Sequence, residues 1–467
     1  MLYGISKIRA SFQRTAPKQI KMYRLLGFLI ALCITIFACS AIISQPETYS
    51  LHDLQEDFVQ FREILEQEHC CLYEFTPESL MDSVFDSHYN LIEDGMKLEE
   101  FFMLLAPVTA RIGCMHTATW MPGRFFISKP CMMFPLTVKL IDNLVVVTGS
   151  YLDSIEVPRG SIILEINGRP VNEIWDRLRR ITSADALNPY FTDAQVTNRF
   201  SMFYASAYGL PDQYTFSYIP PGHTSPQMKI LSPADHESVR KVVFAHFNHP
   251  LPQFEILEEM NTALLTVPTF IYYDRVNEFR RLMDSCFHLI RTRGIGHLIL
   301  DVRGNGGGDP FCSSALLAYL QKRPVPYFAE PYGRYDTLSR PLPLPEDHFD
   351  GQLYTLIDGS CGSTNGHFCA LLKYHHIGRF IGTPSGATYK CNAGRDTEFR
   401  LEHTQLILTI GRSTYSAAVN HMEKTAILPD IEVHETLDDF LENRDLFLET
   451  ALQQIKLDRK LNSHDRF

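Results

Sequence analysis

The apolar positions of this chain fall into three successive patterns. Residues 51–68 place Leu51, Leu54, Phe58, Phe61 and Leu65 three and four apart, the period of one helix face. The same pattern continues over 77–110, where Pro77-Glu78 and the stretch 97–102 supply helix starts. From about 134 to 232 the texture changes to short alternating runs, which predict strands. Residues 159–168 read as a strand closing on an Asn167-Gly168 turn, and Pro and Gly cluster at 219–227 as a loop or boundary.

From about 250 to 435 strand-like and helix-like runs alternate. Strands are predicted at 263–267, 297–302, 354–357, 379–381 and 405–410, and helices at 276–291, 311–322 and 364–374. Alternation of this kind predicts an α/β core with much parallel pairing. A terminal amphipathic helix is expected over 436–456. The domain reading is a leader over 1–45, a helical N-terminal domain over 46–125 and a β-rich insert over 130–235. The α/β domain follows over 250–440, then a C-terminal helix and tail over 441–467.

Composition adds little to this: 467 residues, 45% hydrophobic and 21% charged, are ordinary for a globular protein. The net charge of −11 argues against nucleic acid as a partner, because phosphate contacts need clustered Lys and Arg. The first 45 residues do change the picture. Residues 1–24 hold Lys and Arg but no acid, and 25–43 are an almost unbroken apolar run ending in small residues. That is the pattern of a signal peptide, with Met22 a plausible alternative start. Cys39 after Ile-Phe-Ala loosely matches a lipid-anchoring site, and the run is also near the length that spans a bilayer. Cleaved signal, lipid anchor and membrane tether remain open; each places the rest of the chain outside the cytoplasm, periplasmic or attached to the cell envelope. The 11 cysteines are dispersed, without metal-site spacing, and read mainly as small buried hydrophobes.

Two segments carry candidate chemistry. In 298–308 a buried strand runs into the loop Gly304-Asn305-Gly306-Gly307-Gly308, where glycines let main-chain N–H groups approach a ligand. Such a loop suits an oxyanion hole, and equally a plain tight turn. In 358–367 a strand ends, a turn of small residues follows and a helix begins, with Ser363 in its first turn. A helix N-terminus stabilises negative charge, as a serine nucleophile requires, yet serine is also a common helix cap. Asp301 and Arg303 read as structural residues holding the glycine loop.

Taken together, these segments resemble the tail-specific (C-terminal-processing) serine protease family. The order strand, Arg303-Gly304-Asn305-Gly306-Gly307 loop and serine turn is similar to that family's, as are 378–386 and the ending Glu423 to Pro429-Asp430-Ile431. Residues 134–232 resemble its PDZ-like insert in divergent form. The resemblance covers about 50–435 and implies a crotonase/ClpP-like catalytic core. Where the family's best-known branch has a lysine base, 25 residues after the serine, this chain has Thr388, with Lys390 out of register. A tricorn-core-like branch uses a distant histidine and a glutamate instead, and His116 and Glu423 occupy those positions.

The resemblance therefore implies Ser363 as nucleophile, His116 as base, Glu423 as orienting acid, and N–H groups of Gly306 or Gly307 and of Thr364 as the oxyanion hole. It implies protein or peptide substrates and neither metal nor organic cofactor. His367, His421 and Ser360 are the rival base and nucleophile candidates. Two other functions stay open: a catalytically silent ligand- or peptide-binding protein on the same fold, and a crotonase-like acyl-CoA enzyme, which export argues against.

Overall fold

Residues 51–68 form the helix that their spacing predicts (α1, Leu51–Glu68), capped by Ser50, whose Oγ accepts the N–H of Asp53 at 3.2 Å. Its stripe of Leu54, Phe58, Phe61 and Leu65 is buried, each side chain contributing about 2 kcal/mol. The helices α2 (Glu78–Tyr89) and α3 (Leu98–Ile112) complete the helical start. A short strand β1 (Ala118–Trp120) and helix α4 (Gly123–Ile127) follow. The computed structural model describes residues 48–127, 132–152, 156–244, 251–389, 394–420 and 425–464. The leader reading over 1–45, including Cys39, lies outside them, as do Lys390, His421 and Glu423. Among the described residues no helix is long and apolar enough to cross a membrane.

The insert comprises β2 (Leu136–Ile141), β3 (Leu144–Ser150), β4 (Ile162–Ile166), β5 (Arg169–Pro170), α5 (Val171–Arg180), α6 (Pro189–Tyr208), β6 (Tyr214–Ile219), β7 (Gln227–Leu231) and α7 (His236–Val243). Its antiparallel sheet runs β2-β3-β4-β6-β7, with β5 paired to β4. Asn167 (φ +50°) and Gly168 (φ +72°) both take positive φ, as a two-residue hairpin turn demands. The strand reading of this region missed two helices. The signal for α5 is Val171, Ile174, Trp175 and Leu178, all buried at helical spacing. For α6 it is Asn188 accepting the N–H of Tyr190 ahead of Pro189 in the first turn.

The α/β part follows as β8 (Gln253–Leu257), β9 (Thr262–Thr266), α8 (Val276–Thr292), β10 (His297–Asp301), α9 (Pro310–Leu320), β11 (Gln352–Ile357), α10 (Ser363–Tyr374) and β12 (Arg379–Gly382). Then come β13 (Gly394–Arg400), β14 (Ile407–Ser413), β15 (Ile431–Glu432), α11 (Leu437–Leu441) and α12 (Leu446–His464). One sheet runs β15-β12-β11-β10-β9-β8, parallel except for β8. Helices α8, α9 and α10 cover one face, and α12 covers the other through Ala451 and Ile455. Parallel strands covered on both faces read as continuous apolar runs, which is why β10 and β11 are legible in sequence. The antiparallel trio β1-β14-β13 forms a separate sheet. Its inward residues Leu406, Leu408 and Ile410 share a core with α1, α3 and the insert, not with the parallel sheet.

Candidate active site

Strand β10 delivers the glycine loop and β11 delivers the serine turn, because the two are parallel neighbours with Asp301 opposite Leu356. Their C-terminal ends therefore lie side by side, where ligands bind in such sheets. Hydrogen bonds fasten loop to turn. Asp358 accepts the N–H groups of Gly304 at 3.1 Å and Ser360 at 2.9 Å, although burial pushes its carboxyl pKa up. Asn365 Nδ2 donates to Asn305 O at 2.9 Å, and Thr364 Oγ1 donates to Gly308 O at 2.7 Å. Arg303 forks onto both Asp301 and Asp445, as the structural reading of Asp301 and Arg303 anticipates.

Ser363 opens α10 with φ +50°, a left-handed conformation that costs a non-glycine residue about 1–2 kcal/mol. Two glycines pack against it. A Cβ on Gly307 (φ +106°) would lie 2.9 Å from Ser363 Cβ and 2.8 Å from Thr364 N. A Cβ on Gly308 (φ +142°) would lie 2.1 Å from the Phe270 carbonyl carbon. Glycine is required at both positions for close approach of backbone to backbone. Thr364, second residue of α10, has no intrahelical acceptor for its N–H. The N–H of Gly307, however, donates to Asn305 Oδ1 at 2.8 Å. Of the two glycines expected as donors, Gly307 is thus already engaged.

His116 arrives from the other side. It lies just before β1, and its Nε2 is 3.0 Å from Ser363 Oγ. Its Nδ1 is 3.0 Å from an Asp396 carboxylate oxygen. Register explains the meeting: Ala118 faces Thr409 across β1–β14, and Asp396 faces Gly411 across β13–β14. Continuing the ladder by two residues puts 116 opposite Gly411, so His116 and Asp396 approach over a position without a side chain. The N–H of Gly411 donates to Thr117 Oγ1 at 3.3 Å, fixing that end of the ladder.

The hairpin β13–β14 is in turn held by α1. The buried carboxylate of Asp57 accepts the N–H groups of His403 at 2.9 Å and Thr404 at 2.8 Å. The His116 side chain is 18% exposed. Burial pushes its pKa down, but the hydrogen bond and charge of Asp396 outweigh this and hold it above the ordinary 6.5.

Ser363 and His116 are therefore brought into contact as the sequence reading expects. The carboxylate at the far imidazole nitrogen is Asp396, which that reading missed. Its strand, GRDTEFR, is almost wholly charged and carries no apolar alternation to reveal it. Glu423 lies outside the described residues, so its place is not part of this geometry. His367 is buried along α10 with Nε2 3.1 Å from Tyr415 O. Ser360 lines the same cleft but with its N–H on Asp358. Thr388 is buried and bridges to Ala426.

All three of Ser363, His116 and Asp396 line a cleft of about 800 Å³, as do Gly306 and Gly307. Among the described residues one group could share a metal ion: His69, Cys70 and Cys71. There His69 Nδ1 already accepts the Cys71 N–H at 3.0 Å, which occupies the lone pair a metal would need.

Residues 261–433 match peptidase family S41. The Tricorn protease homolog of Saccharolobus solfataricus is 31% identical over 187 residues, 39% of this chain. The chain spans 15% of that relative's length. Among solved structures, mature CPAF superposes with a TM-score of 0.61 at 13% identity, covering 89% of this chain and 98% of that one. A CPAF mutant gives a TM-score of 0.63 at 13% identity, covering 88% and 98%. At such identity the likeness establishes the fold. The matched segment, residues 261–433, contains the strand, glycine loop and helix that carry Ser363, and it is this stretch that is similar to peptidase family S41.

Proposed function

We propose that this chain is a serine peptidase that cleaves proteins or peptides by acyl transfer. The supporting observation is the His116 Nε2 to Ser363 Oγ contact at 3.0 Å, with Asp396 on the opposite nitrogen. In this reading Ser363 Oγ bonds to the scissile carbonyl carbon while its proton passes to His116 Nε2. The carbonyl oxygen gains negative charge and is met by main-chain N–H groups of Thr364 and Gly306. His116 then gives the proton to the departing amine as the C–N bond breaks. Water next attacks the acyl ester carbon, losing its proton to His116; the bond from that carbon to Ser363 Oγ then breaks, His116 returns the proton to Oγ, and the carboxylic acid product leaves.

Asp396 fixes the imidazole tautomer and stabilises the imidazolium. It takes the role that the resemblance gives to Glu423, because it sits on Nδ1. No metal or organic cofactor enters this reading.

A fluorophosphonate probe tests it. Wild type should label and hydrolyse a peptide substrate, and Ser363→Ala should do neither. Equal labelling of both, or none of wild type, would support the silent binding protein instead. We propose further that the chain is exported, on the strength of the apolar run 25–43, as a periplasmic or envelope-attached protein. Recovery of full-length, unprocessed chain in the cytosolic fraction would refute that.

A further inference from the structure

Apart from the phenols of Tyr151 and Tyr273, the cleft that holds Ser363 is lined by five titratable or charged side chains among the described residues: His116, Lys139, Arg199, Asp358 and Asp396. Four of them are matched. Lys139 pairs with Glu435, Asp396 with His116, and Asp358 receives the N–H groups of Gly304 and Ser360. Arg199 has neither an acidic partner nor a hydrogen bond among the described residues. Its guanidinium lies over the face of Trp120, with the guanidinium carbon 5.6 Å from the ring centroid. Burial lowers its pKa, so its charge is poorly compensated where it stands.

The local structure holds this cation in place. Helix α6 breaks its regular geometry at Arg199 (φ −130°, ψ 20°). Phe203, one turn on, stacks against Trp120 at 6.2 Å with the rings 13° from parallel. Trp120 is thus contacted by both Arg199 and Phe203, one turn apart on α6. A guanidinium lying on an aromatic face keeps its in-plane N–H fork free, and that fork matches a carboxylate. Trp120 also ties the feature to the reacting atoms. It lies four residues after His116, at the end of β1, so at most about 14 Å of backbone separates them. Ala118, His116 and Trp120 all line the cleft.

We propose that Arg199, braced on Trp120, is a subsite for an acidic side chain of the substrate, in a peptide segment seated on Ser363. This rests on the peptidase reading above. The recognised group is the carboxylate of Glu or Asp, bound by the guanidinium fork without any covalent step. Arg199 is a specificity-determining residue, not part of the proton-transfer machinery.

The test uses full-length protein and a position-scanning library of internally quenched peptides, blocked at both ends, with Glu and Gln exchanged at each position. Wild type should prefer Glu at one position by about 10- to 100-fold in kcat/KM, the size of a charge-assisted hydrogen bond. Arg199→Gln should lose that preference while labelling with a fluorophosphonate at the wild-type rate. Arg199→Glu should favour Lys at the same position.

A wild type that labels but shows no Glu preference would overturn this inference and leave the peptidase reading intact. So would a preference that depends on a free C-terminus in place of a side chain. If wild type neither labels nor hydrolyses, the peptidase reading fails. Fluorescence anisotropy of the library peptides on Ser363→Ala then still decides the subsite. Tighter binding of the Glu peptide that is lost in Ser363→Ala/Arg199→Gln supports it, and equal binding of Glu and Gln peptides refutes it.

Discussion

The two halves of the site are built on different principles. The nucleophile half, glycine loop and Ser363, stands at the ends of two adjacent parallel strands and is fastened by side-chain to main-chain hydrogen bonds between residues 54 and 60 positions apart. It belongs to the core formed by α8, α9 and α10. The base half, His116 and Asp396, belongs to the other core, and its two residues lie 280 positions apart in sequence. Its geometry depends on the β1–β14–β13 ladder and on α1 gripping the hairpin through Asp57. One half thus joins segments 54 to 60 positions apart, whereas the other exists only after pairing across 280 positions. The contact between Ser363 and His116 is where the two cores meet.

Substitutions can separate the halves. The largest effect belongs to their junction: Ser363→Ala and His116→Ala should each lower kcat by about 10⁶, with the double variant no worse, because the pair acts as a unit. Peptide hydrolysis measured on all three checks this, and additive losses would mean that the residues act separately. Within the base half, Asp396→Ala should cost about 10⁴ in kcat. A loss below tenfold would return the orienting role to another acid. Within the nucleophile half, Gly307→Ala puts a methyl against Ser363 Cβ and Thr364 N and should cost about 10²–10³ in kcat with little change in KM.

Stability should divide the same way. Arg303→Leu leaves Asp301 and Asp445 without their shared cation and should cost about 3 kcal/mol. Asp57→Ala should cost about 2 kcal/mol and loosen the hairpin, so that it also lowers kcat. Urea midpoints and activity together distinguish the two. The smallest effect is on pH. Because Asp396 holds the His116 pKa above 6.5, activity should be lost as pH falls through a value above 6.5. In Asp396→Asn the charges of Asp185 and Cys70 are left to oppose burial, and their effect is smaller than that of Asp396, so the residual activity should persist to lower pH. An acid limb that does not move would detach Asp396 from His116.

How much of this is legible in the chain follows from the same contrast. Helix α1, the strands β10 and β11, and the turn that presents Ser363 could all be read, because each is declared by residues within about ten positions of one another. The helices α5 and α6 were hidden by flanking strands whose alternation dominates the region, although Trp175 and Leu178 carried the helical period. His116 could be named only by resemblance, since one histidine among 18 has no local signature.

By itself, then, the sequence determined the parallel sheet, the glycine loop and the serine at a helix start. Backbone sterics and burial period act over short distances, and both are written in neighbouring residues. Tertiary structure alone decided that Asp396 meets His116, that Gly307 N–H is spent on Asn305, and that Arg199 faces the cleft without a counter-ion among the described residues. Those outcomes depend on strand register and on which charges find partners. Both are settled only when segments hundreds of residues apart pack into shared cores.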